Sequence, residues 1–395
     1  MPFKILHGIR SVNPTGGGPI EGLKQLAAAN MLRGHSVEVM SLDRPSDPWV
    51  KSCPLTCHAM GPAWFNYGYS PRFVPWLRAH RQNYDVVIVN GVWQYSSFGV
   101  WLALHGTPTP YFVFPHGMLD PWFKRTYPLK HLKKWFYLPW GDYRVLRDAT
   151  AILFTCEEER RLARQSFWLY QGDEFVVNYG TARPTGDPEL QRRLFLEKFP
   201  HLKDKRCLLF LGRVHVKKGP ALLIRALAEL FKNRKATDTR EVHLVMAGPN
   251  DHSYGREMAA LVRSLGLEER VTWTGMVSGD LKWGAFHSAD AFILPSHQEN
   301  FGIAVVESLA CGLPVLISNQ INIWREINQD RAGFVETDDE TGTTRLLERW
   351  LEVDRDEWKE MRSRARGSFE RRFTVEQSAA SLIKAIELFG LVSRE

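Results

Sequence analysis

The chain has 395 residues, and at roughly 100 to 200 residues per domain this length favours two domains. Hydrophobic residues make up 44% and charged residues 24%, a globular composition that excludes a long disordered tail, a coiled coil and collagen. The 51 Lys and Arg residues exceed the 44 Asp and Glu residues. The resulting net charge of +7 favours an anionic partner such as a nucleotide, a lipid phosphate or a membrane face.

The chain lacks the usual signals for export. No apolar run approaches the roughly 18 residues that span a bilayer, and residues 1–7 lack the basic-then-apolar pattern of a signal peptide. Five cysteines are an odd number, and only Cys53 and Cys57 are close, without a second Cys or His pair at zinc-site spacing. We therefore expect a cytoplasmic protein with reduced thiols and no structural metal.

The first half of the chain repeats one unit, in which a short apolar run is followed by a turn and a helical stretch. Several runs are continuously apolar, which is typical of parallel strands buried on both faces by helices. The predicted strands are Lys4 to Ile9, Ser36 to Leu42, Asp85 to Asn90, Tyr111 to Phe114, Ala151 to Thr155 and Glu174 to Val177.

The same alternation restarts at Cys207 after a lapse near residues 183–188. Two doubly wound parallel-sheet domains are predicted, with a ligand cleft between the carboxyl ends of their sheets. The later strands are Cys207 to Gly212, Val242 to Ala247, Val271 to Thr274, Ala291 to Leu294, Pro314 to Ile317 and Gly333 to Val335. The predicted divisions are a first domain over 1–182, a linker over 183–204, a second domain over 205–372, and a C-terminal helix over 373–395 that can pack on either domain, including a return to the first.

A glycine-rich loop follows the first predicted strand. Gly16, Gly17 and Gly18 let backbone N–H groups approach an anion at a helix N-terminus, and Pro19 suits the first helical turn. The loop matches neither a dinucleotide fingerprint nor a Walker loop. It is either a wall of a phosphate or acceptor pocket, or a tight turn.

A basic loop opens the second domain, directly after Gly212. Arg213 and Lys218 stand five residues apart just past the end of a strand, where a guanidinium and an ammonium can neutralise a diphosphate. A charged solvated loop is the alternative interpretation.

Residues 294–315 form the most informative stretch, in which an apolar strand is followed by an acidic loop with Glu299 and a helix with Glu307. Backbone N–H groups of Asn300 to Ile303 at the helix N-terminus suit an anion, whereas carboxylates accept hydrogen bonds from hydroxyls. A phosphate on one side and a polyol on the other describe a sugar nucleotide.

These two glutamates, separated by seven residues, resemble the signature of the retaining GT-B glycosyltransferases, especially family 4, the glycosyl transferases group 1. The resemblance covers most of the chain, through residues 16–18, 115–120, 212–219, 247–249 and 271–277. It implies an α/β chain with the GT-B fold, in which two Rossmann-like, doubly wound parallel-sheet domains face each other across a deep cleft. The first domain would bind the acceptor and the second the donor.

The resemblance also implies roles for individual residues of the donor site. Arg213 and Lys218 would bind the pyrophosphate, and Glu307 would accept hydrogen bonds from the ribose. The remaining donor-binding residues are Met276 and Val277 for the base, Glu299 with Asn300, Phe301, Gly302 and Ile303 for the sugar and β-phosphate, and Gly17, Gly18 and Gly212 in the glycine-containing loops.

The implied reaction moves a hexosyl unit from a GDP- or UDP-hexose to a saccharide or lipid-linked saccharide, in polysaccharide biosynthesis. No Asp-x-Asp stands in the expected place, so neither a cofactor nor a bound divalent ion is expected. The resemblance implies retention by front-face attack, with a double displacement through Glu299 as the alternative. The base and sugar of the donor, the linkage and the oligomeric state stay open.

His116 follows the apolar run Tyr111 to Phe114, at the carboxyl edge of the first predicted sheet. The resemblance implies that a residue near this position contacts the transferred sugar or the reaction centre, so His116 is the candidate catalytic residue of the first domain. A histidine packed beside a turn is the alternative, and the sequence does not fix its protonation state.

Residues 122–140 contain five Lys or Arg, seven aromatic residues and no acid. Mixed cationic and aromatic segments suit membrane interfaces, and aromatic rings also stack on sugars. The segment is therefore expected to contact an anionic membrane surface at the inner face, to line a saccharide acceptor, or to pack in the core with a solvated basic edge.

Two other classes of function compete with this interpretation. A dinucleotide-dependent oxidoreductase is disfavoured because neither half carries G-x-G-x-x-G with an acidic residue about twenty positions later. A non-catalytic sugar-nucleotide or polysaccharide-binding protein could keep the same fold. A nucleic-acid partner is not expected, because no recognition module is visible.

Overall fold

The structure is a computed structural model that describes residues 2–126, 128–233 and 242–390. Its contacts divide the chain into two units, one formed by Met1–Ala182 with Thr374–Glu395 and one by Arg183–Phe373. Each unit is a parallel sheet covered by helices, which confirms the predicted doubly wound α/β class.

The first unit is built on a seven-stranded sheet within the described residues. Its strands are β1 (Lys4–Ile9), β2 (Ser36–Ser41), β3 (Thr56–Ala59), β4 (Val86–Asn90), β5 (Tyr111–Phe114), β6 (Ala151–Phe154) and β7 (Glu174–Val176). They are parallel in the order β3-β2-β1-β4-β5-β6-β7, so the strand order reverses between β1 and β4. The edge strand β3 was not predicted, because it is short and only partly buried.

The helices of the first unit cover both faces of this sheet. Those within residues 1–182 are α1 (Gly18–Leu32), α2 (Pro48–Lys51), α3 (Phe73–His80), α4 (Tyr95–Leu104), α5 (Trp122–Thr126), α6 (Pro128–Tyr137), α7 (Asp142–Arg147) and α8 (Glu157–Ala163). Neighbouring strand residues enter two different cores, Ile5 and Ile88 on one face and Leu6 and Val87 on the other. This two-sided burial explains why the strands are continuously apolar.

The second unit has a six-stranded sheet within the part of the chain that the structure describes. Its strands are β8 (Arg206–Leu211), β9 (Val242–Ala247), β10 (Val271–Gly275), β11 (Ala291–Leu294), β12 (Val315–Ser318) and β13 (Gly333–Glu336). They are parallel in the order β10-β9-β8-β11-β12-β13, which reverses between β8 and β11. The helices are α9 (Pro188–Lys198), α10 (Pro220–Asn233), α11 (Ser253–Ser264), α12 (Gly279–Ser288), α13 (Ile303–Ala310), α14 (Trp324–Asp330), α15 (Glu340–Glu352) and α16 (Arg355–Arg372).

Residues 183–204, predicted as a linker, belong to the second unit instead. They contain α9, which packs closely on α12, since a Cβ on Gly284 would lie 2.2 Å from the Gln191 carbonyl oxygen. The Gln191 side chain also donates to Asp280 at 2.9 Å and to the Thr185 carbonyl at 2.7 Å. The chain therefore passes from the first unit to the second at residue 183.

The last helix, α17 (Val375–Gly390), lies in the first unit and packs against α1. It begins as predicted at Thr374, whose hydroxyl accepts from the Gln377 N–H at 3.4 Å while the Gln377 side chain accepts from the Thr374 N–H at 3.4 Å. The hydroxyl of Ser378 donates to the Asn178 carbonyl at 2.7 Å. Leu382 and Ile386 join the core beneath.

Candidate functional site

The second sheet reverses its strand order between β8 and β11, and the loops after these two neighbouring strands meet at its carboxyl edge. Open α/β sheets bind ligands at such a reversal. Gly212, Arg213 and Lys218 follow β8, whereas Glu299 and the start of α13 follow β11. The fold therefore brings together residues that are about 80 positions apart in the sequence.

The loops after β8 and β11 are bonded to each other. The His297 N–H donates to the Lys217 carbonyl at 2.9 Å. Gly219 has a left-handed φ of 66°, and a Cβ there would lie 2.1 Å from the Pro295 carbonyl oxygen. Only glycine satisfies both the backbone angle and the close approach, so Gly219 fixes the position of the basic loop.

Lys218 and Glu299 form an ion pair between these loops. Burial lowers the pKa of Lys218, and the positive charges of Lys217 and Arg213 lower it further. The Glu299 carboxylate acts in the opposite direction and favours the charged ammonium. The backbone of Glu299 is held on both sides, because its N–H donates to the Gln320 carbonyl at 3.0 Å and its carbonyl accepts from the Asn322 N–H at 3.0 Å.

Arg213 differs from Lys218 in its surroundings. Its side chain is exposed, and it has no ion-pair partner among the residues that the structure describes. An exposed guanidinium beside an ion-paired ammonium leaves positive charge available to an anionic ligand.

Glu307 lies on α13 and is buried, with its carboxylate 2.6 Å from the Lys282 ammonium. Lys282 stands on α12 and was not predicted from the sequence. Its ammonium also lies 4.7 Å from the centroid of the Trp283 ring. The site thus holds a second Lys–Glu pair, in which the partner of the predicted carboxylate comes from a different helix.

The N-terminus of α13 supplies backbone groups next to Glu299. Gly302 caps the helix with a left-handed φ of 76°, and the first N–H groups of an α-helix have no partner within the helix. Phe301 is buried, with its ring 6.0 Å from that of Phe373, so only its backbone is available to a ligand. The Asn300 side-chain oxygen accepts from the Asn322 amide at 3.4 Å, and Ile303 begins the helix.

The ends of β8, β9 and β10 are also linked. The Gly212 N–H donates to the Ala247 carbonyl at 2.9 Å, and the Gly248 N–H donates to the Gly275 carbonyl at 2.8 Å. Met276 follows β10 with 80% of its surface exposed, and Val277 after it is half-buried. The two predicted base contacts therefore stand at the same sheet edge, two strands from β8.

In the first unit, His116 stands in the turn after β5 with a left-handed φ of 49°. Its Nε2 donates to the Asn90 side-chain oxygen at 3.1 Å, and the Asn90 amide donates to His7 Nδ1 at 3.1 Å. Burial lowers the pKa of His116 to about 4, and burial together with His116 lowers the pKa of His7 to about 3. Both imidazoles are therefore neutral near pH 7, with their tautomers set by Asn90.

The buried carboxylate of Glu159 holds the turn that presents His116. It accepts from the Gly117 N–H at 2.5 Å and from the Thr155 N–H and hydroxyl at 2.8 and 2.6 Å. Neither Asn90 nor Glu159 was predicted as a site residue. A polar residue ending the apolar strand β4 was the available signal for Asn90, whereas Glu159 stands in a run of three glutamates that resembles a solvated helix face.

The glycine-rich loop lies in the first unit, after β1 and beside the reversal between β1 and β4. Gly17 caps α1 with a left-handed φ of 77°, and a Cβ there would meet nothing within 4 Å. Gly18 begins the helix. Gly17, Gly18 and His116 thus belong to the first unit, and the other predicted site residues belong to the second.

The two parallel sheets, each with loops gathered at a strand-order reversal, match the GT-B fold of solved glycosyltransferase structures. Sucrose-phosphate synthase of Thermosynechococcus elongatus matches over 100% of both chains, with a TM-score of 0.76 and 19% identity. Anabaena HepE in complex with UDP and glucose matches over 98% of this chain and 100% of its own, with a TM-score of 0.74 and 17% identity. At such identities these likenesses concern the fold.

Each unit matches a family model of glycosyltransferases. The model of the glycosyl transferases group 1 matches residues 191–368, and that of the glycosyl transferase 4-like domain matches residues 17–180. The D-inositol 3-phosphate glycosyltransferase of Kineococcus radiotolerans is 29% identical over 195 residues, 49% of this chain and 45% of the relative. That of Rhodococcus opacus is 36% identical over 128 residues, 32% of this chain and 28% of the relative. The matches thus span less than half the length of these curated relatives.

Proposed function

We propose that this protein is a retaining glycosyltransferase that moves a hexosyl unit from a GDP- or UDP-hexose to a saccharide or lipid-linked saccharide acceptor in polysaccharide biosynthesis. The observation that carries the proposal is the arrangement at the β8/β11 reversal. There Lys218 meets Glu299, beside the N-terminus of α13 and the exposed Arg213. Fixed positive charge and helix N–H groups suit a diphosphate, and carboxylates beside them suit sugar hydroxyls.

Each part of this arrangement has a proposed role. Arg213, Lys218 and the N–H groups at the start of α13 neutralise the donor phosphates. The ribose hydroxyls compete with Lys282 for the Glu307 carboxylate, and the sugar hydroxyls compete with Lys218 for Glu299. Displacement by the donor would free the Lys218 ammonium for the phosphates, so the ion pair would hold both groups in place until the donor binds.

The proposed chemical step is a front-face substitution at the anomeric carbon. The bond from that carbon to the phosphate oxygen breaks, the bond to the acceptor oxygen forms on the same face, and the acceptor proton passes to the departing phosphate. The protein contributes orientation and electrostatic stabilisation of the leaving group. Neutral His116 would position the transferred sugar by hydrogen bonding, since its low pKa makes it a weak base.

A UDP donor is supported by the complex of Anabaena HepE with UDP-glucose, and a GDP donor is the alternative to test. Unfolding temperatures would be measured with UDP, GDP and ADP. A nucleotide at 100 times its dissociation constant stabilises by about 2.7 kcal/mol, which should raise the transition by at least about 5 °C. Hydrolysis of the matching sugar donors, with and without EDTA, would follow. We expect slow donor hydrolysis that EDTA leaves unchanged.

Three results would contradict the proposal. Stabilisation by a nucleotide without any transfer or donor hydrolysis would identify a binding protein. Loss of activity in EDTA, restored by Mg²⁺, would show that the protein charges alone do not neutralise the phosphates. A change in nicotinamide absorbance without nucleotide-sugar binding would indicate an oxidoreductase.

A further inference from the structure

Helix α6 presents an apolar face to solvent. Leu129, Leu132 and Phe136 are exposed by 78%, 51% and 69%, and their spacing of three and four residues aligns them on one side of the helix. An amphipathic helix of a folded domain ordinarily turns such a face toward the core. The apolar stripe of α6 therefore needs a partner outside the unit.

Three tryptophans extend this stripe. Trp135 on α6 is exposed, its ring lies 6.2 Å from that of Trp168, and Trp140 follows the helix. Trp140 and Trp168 are exposed by 71% and 70%. We call Leu129, Leu132, Trp135, Phe136, Trp140 and Trp168 the α6 apolar surface. Apolar side chains on an ordinary protein surface are scattered singly, whereas four of these six stand on one helix.

The opposite side of α6 is already packed, which fixes the direction of the exposed face. The Lys134 ammonium lies 4.9 Å from the centroid of the Trp93 ring and 5.5 Å from that of Phe123. The hydroxyls of Tyr137 and Tyr67 are hydrogen-bonded, and Leu138 is buried. Rotation of α6 to bury the apolar surface would break these contacts, so the face stays outward.

The charge of the segment indicates what covers this surface. Residues 122–140 contain five Lys or Arg and no acid, and Lys124 is exposed. The side chains of Arg125, Lys130 and Lys133 lie outside the described residues. A second copy of the chain would bring two such basic segments together, whereas an anionic lipid surface complements them. Aromatic residues with cations also suit the headgroup depth of a bilayer.

The dimensions favour a helix that lies in the membrane plane. Ten residues of α-helix span about 15 Å, half of the roughly 30 Å of a bilayer core. Among the described residues, none of the helices combines the length and the apolar character that crossing a membrane requires.

We propose that the α6 apolar surface docks the first unit on an anionic lipid membrane, with α6 in the interface and its flanking cations against the headgroups. The inference goes beyond glycosyl transfer and does not depend on it. A lipid-linked acceptor would then meet the protein at the bilayer surface.

The test is co-sedimentation with vesicles of phosphatidylglycerol or of phosphatidylcholine, over a series of salt concentrations. The wild type should bind phosphatidylglycerol vesicles, and binding should weaken as salt rises. The triple variant Leu129→Ser, Leu132→Ser, Phe136→Ser should lower the partition coefficient by at least about tenfold, since each apolar side chain no longer enters the interface.

A matched control changes three exposed apolar residues on other helices, Met31→Ser, Leu32→Ser and Leu388→Ser. It should bind vesicles like the wild type. Far-ultraviolet circular dichroism and the nucleotide-dependent rise in unfolding temperature should be unchanged in both variants, which separates lost docking from misfolding and from failure of the proposed function.

Four results would overturn the inference. The triple variant could bind phosphatidylglycerol vesicles as tightly as the wild type, or the wild type could bind neither vesicle. Binding to phosphatidylcholine vesicles that is as tight as binding to phosphatidylglycerol vesicles, and that does not depend on salt, would show that the cations have no role. A doubled mass in solution that the triple variant loses would show that a second copy covers the surface.

Discussion

The two sheets of this protein share one architecture, but the residues at their strand-order reversals are charged in the second unit and uncharged in the first. In the second unit, the β8/β11 edge holds charged groups, the Lys218–Glu299 pair and the exposed Arg213. In the first unit, the corresponding edge holds the uncharged series His7, Asn90 and His116, connected by hydrogen bonds of 3.1 Å. The two sheets are alike, so a few residues at each edge determine whether the site is charged or neutral.

Under the proposed function, this difference gives the two units different roles. A diphosphate requires counter-charge, which the second unit supplies. A sugar transferred through a positively charged transition state is better served by neutral hydrogen-bonding groups, because a nearby imidazolium would repel the developing charge. The first unit keeps His116 neutral by burying it.

The largest expected effect tests the charged site at the β8/β11 edge of the second unit. Lys218→Ala removes the ammonium that we assign to the donor phosphates and leaves Glu299 without its partner. We expect kcat/KM for donor hydrolysis to fall by about 10²- to 10³-fold, as for loss of one electrostatic group at a leaving oxyanion. Lys232→Ala on the exposed end of α10 is the matched control and should stay near the wild type. Equal rates for both variants would place the phosphates elsewhere.

The next effect concerns the backbone that brings the charged loops together. Gly219→Ala would place a Cβ 2.1 Å from the Pro295 carbonyl oxygen at a φ of 66°. Gly266 has nearly the same φ of 67°, but a Cβ there meets nothing within 4 Å. Gly266→Ala should cost about 1 kcal/mol for the backbone angle alone, and Gly219→Ala about 2 to 4 kcal/mol because of the added clash.

Denaturant unfolding of the second unit and donor hydrolysis check this pair. Gly219→Ala should also lose activity, since Lys218 precedes the displaced glycine. If the two variants lost equal stability, the loops after β8 and β11 would not be as tightly apposed as we describe.

The sequence predicted only part of the candidate site in each unit. Glu299 and Glu307 were identified because their spacing along one loop and helix is local information. Lys282 was missed because its contact with Glu307 exists only once α12 and α13 have packed. The same limit applies to Asn90. Its partner His7 lies on β1 and its partner His116 in the turn after β5, and they become neighbours only through the order of the sheet.

The fold was more accessible to prediction than the site. Strands buried on both faces must be continuously apolar, so runs such as Val86 to Asn90 stand out. Burial on one side or at an edge gives no such signal, which is why β3 was missed. The prediction of residues 183–204 as a linker was wrong for a related reason. Helix α9 has many polar surface residues, and among them the sequence gives little sign that Gln191 and Phe195 pack in the second unit.

A smaller effect tests how Glu159 holds the turn that carries His116 in the first unit. Glu159→Gln replaces a carboxylate oxygen by an N–H₂ group among three donors from Gly117 and Thr155. Because one buried donor would then face another, we expect a loss of about 2 kcal/mol in unfolding free energy of the first unit. Glu157→Gln on the same helix changes an exposed glutamate paired with Arg160 and should cost less than about 1 kcal/mol.

Glu159 is a positioning residue in this view, so the variant has a second readout. The proportion of productive transfer should fall relative to donor hydrolysis, since His116 orients the sugar but does not hold the phosphates. An unchanged ratio together with the lost stability would show that Glu159 serves the fold alone.

The smallest effect is the pH dependence of stability that arises from the neutral imidazoles of His7 and His116. The pKa of His7 is about 3 when folded, below its ordinary value of 6.5, so the unfolded chain binds the extra proton and stability falls as pH falls through 6.5. Between pH 6 and 5 this loss is about 1 kcal/mol for His7. His7→Asn keeps an acceptor for the Asn90 amide without a titrating ring, and should therefore lose about 1 kcal/mol less over that interval in denaturant unfolding. Substitution of the exposed His105 by Asn is the control, and an acid sensitivity equal in all three proteins would mean that His7 is not held neutral by burial.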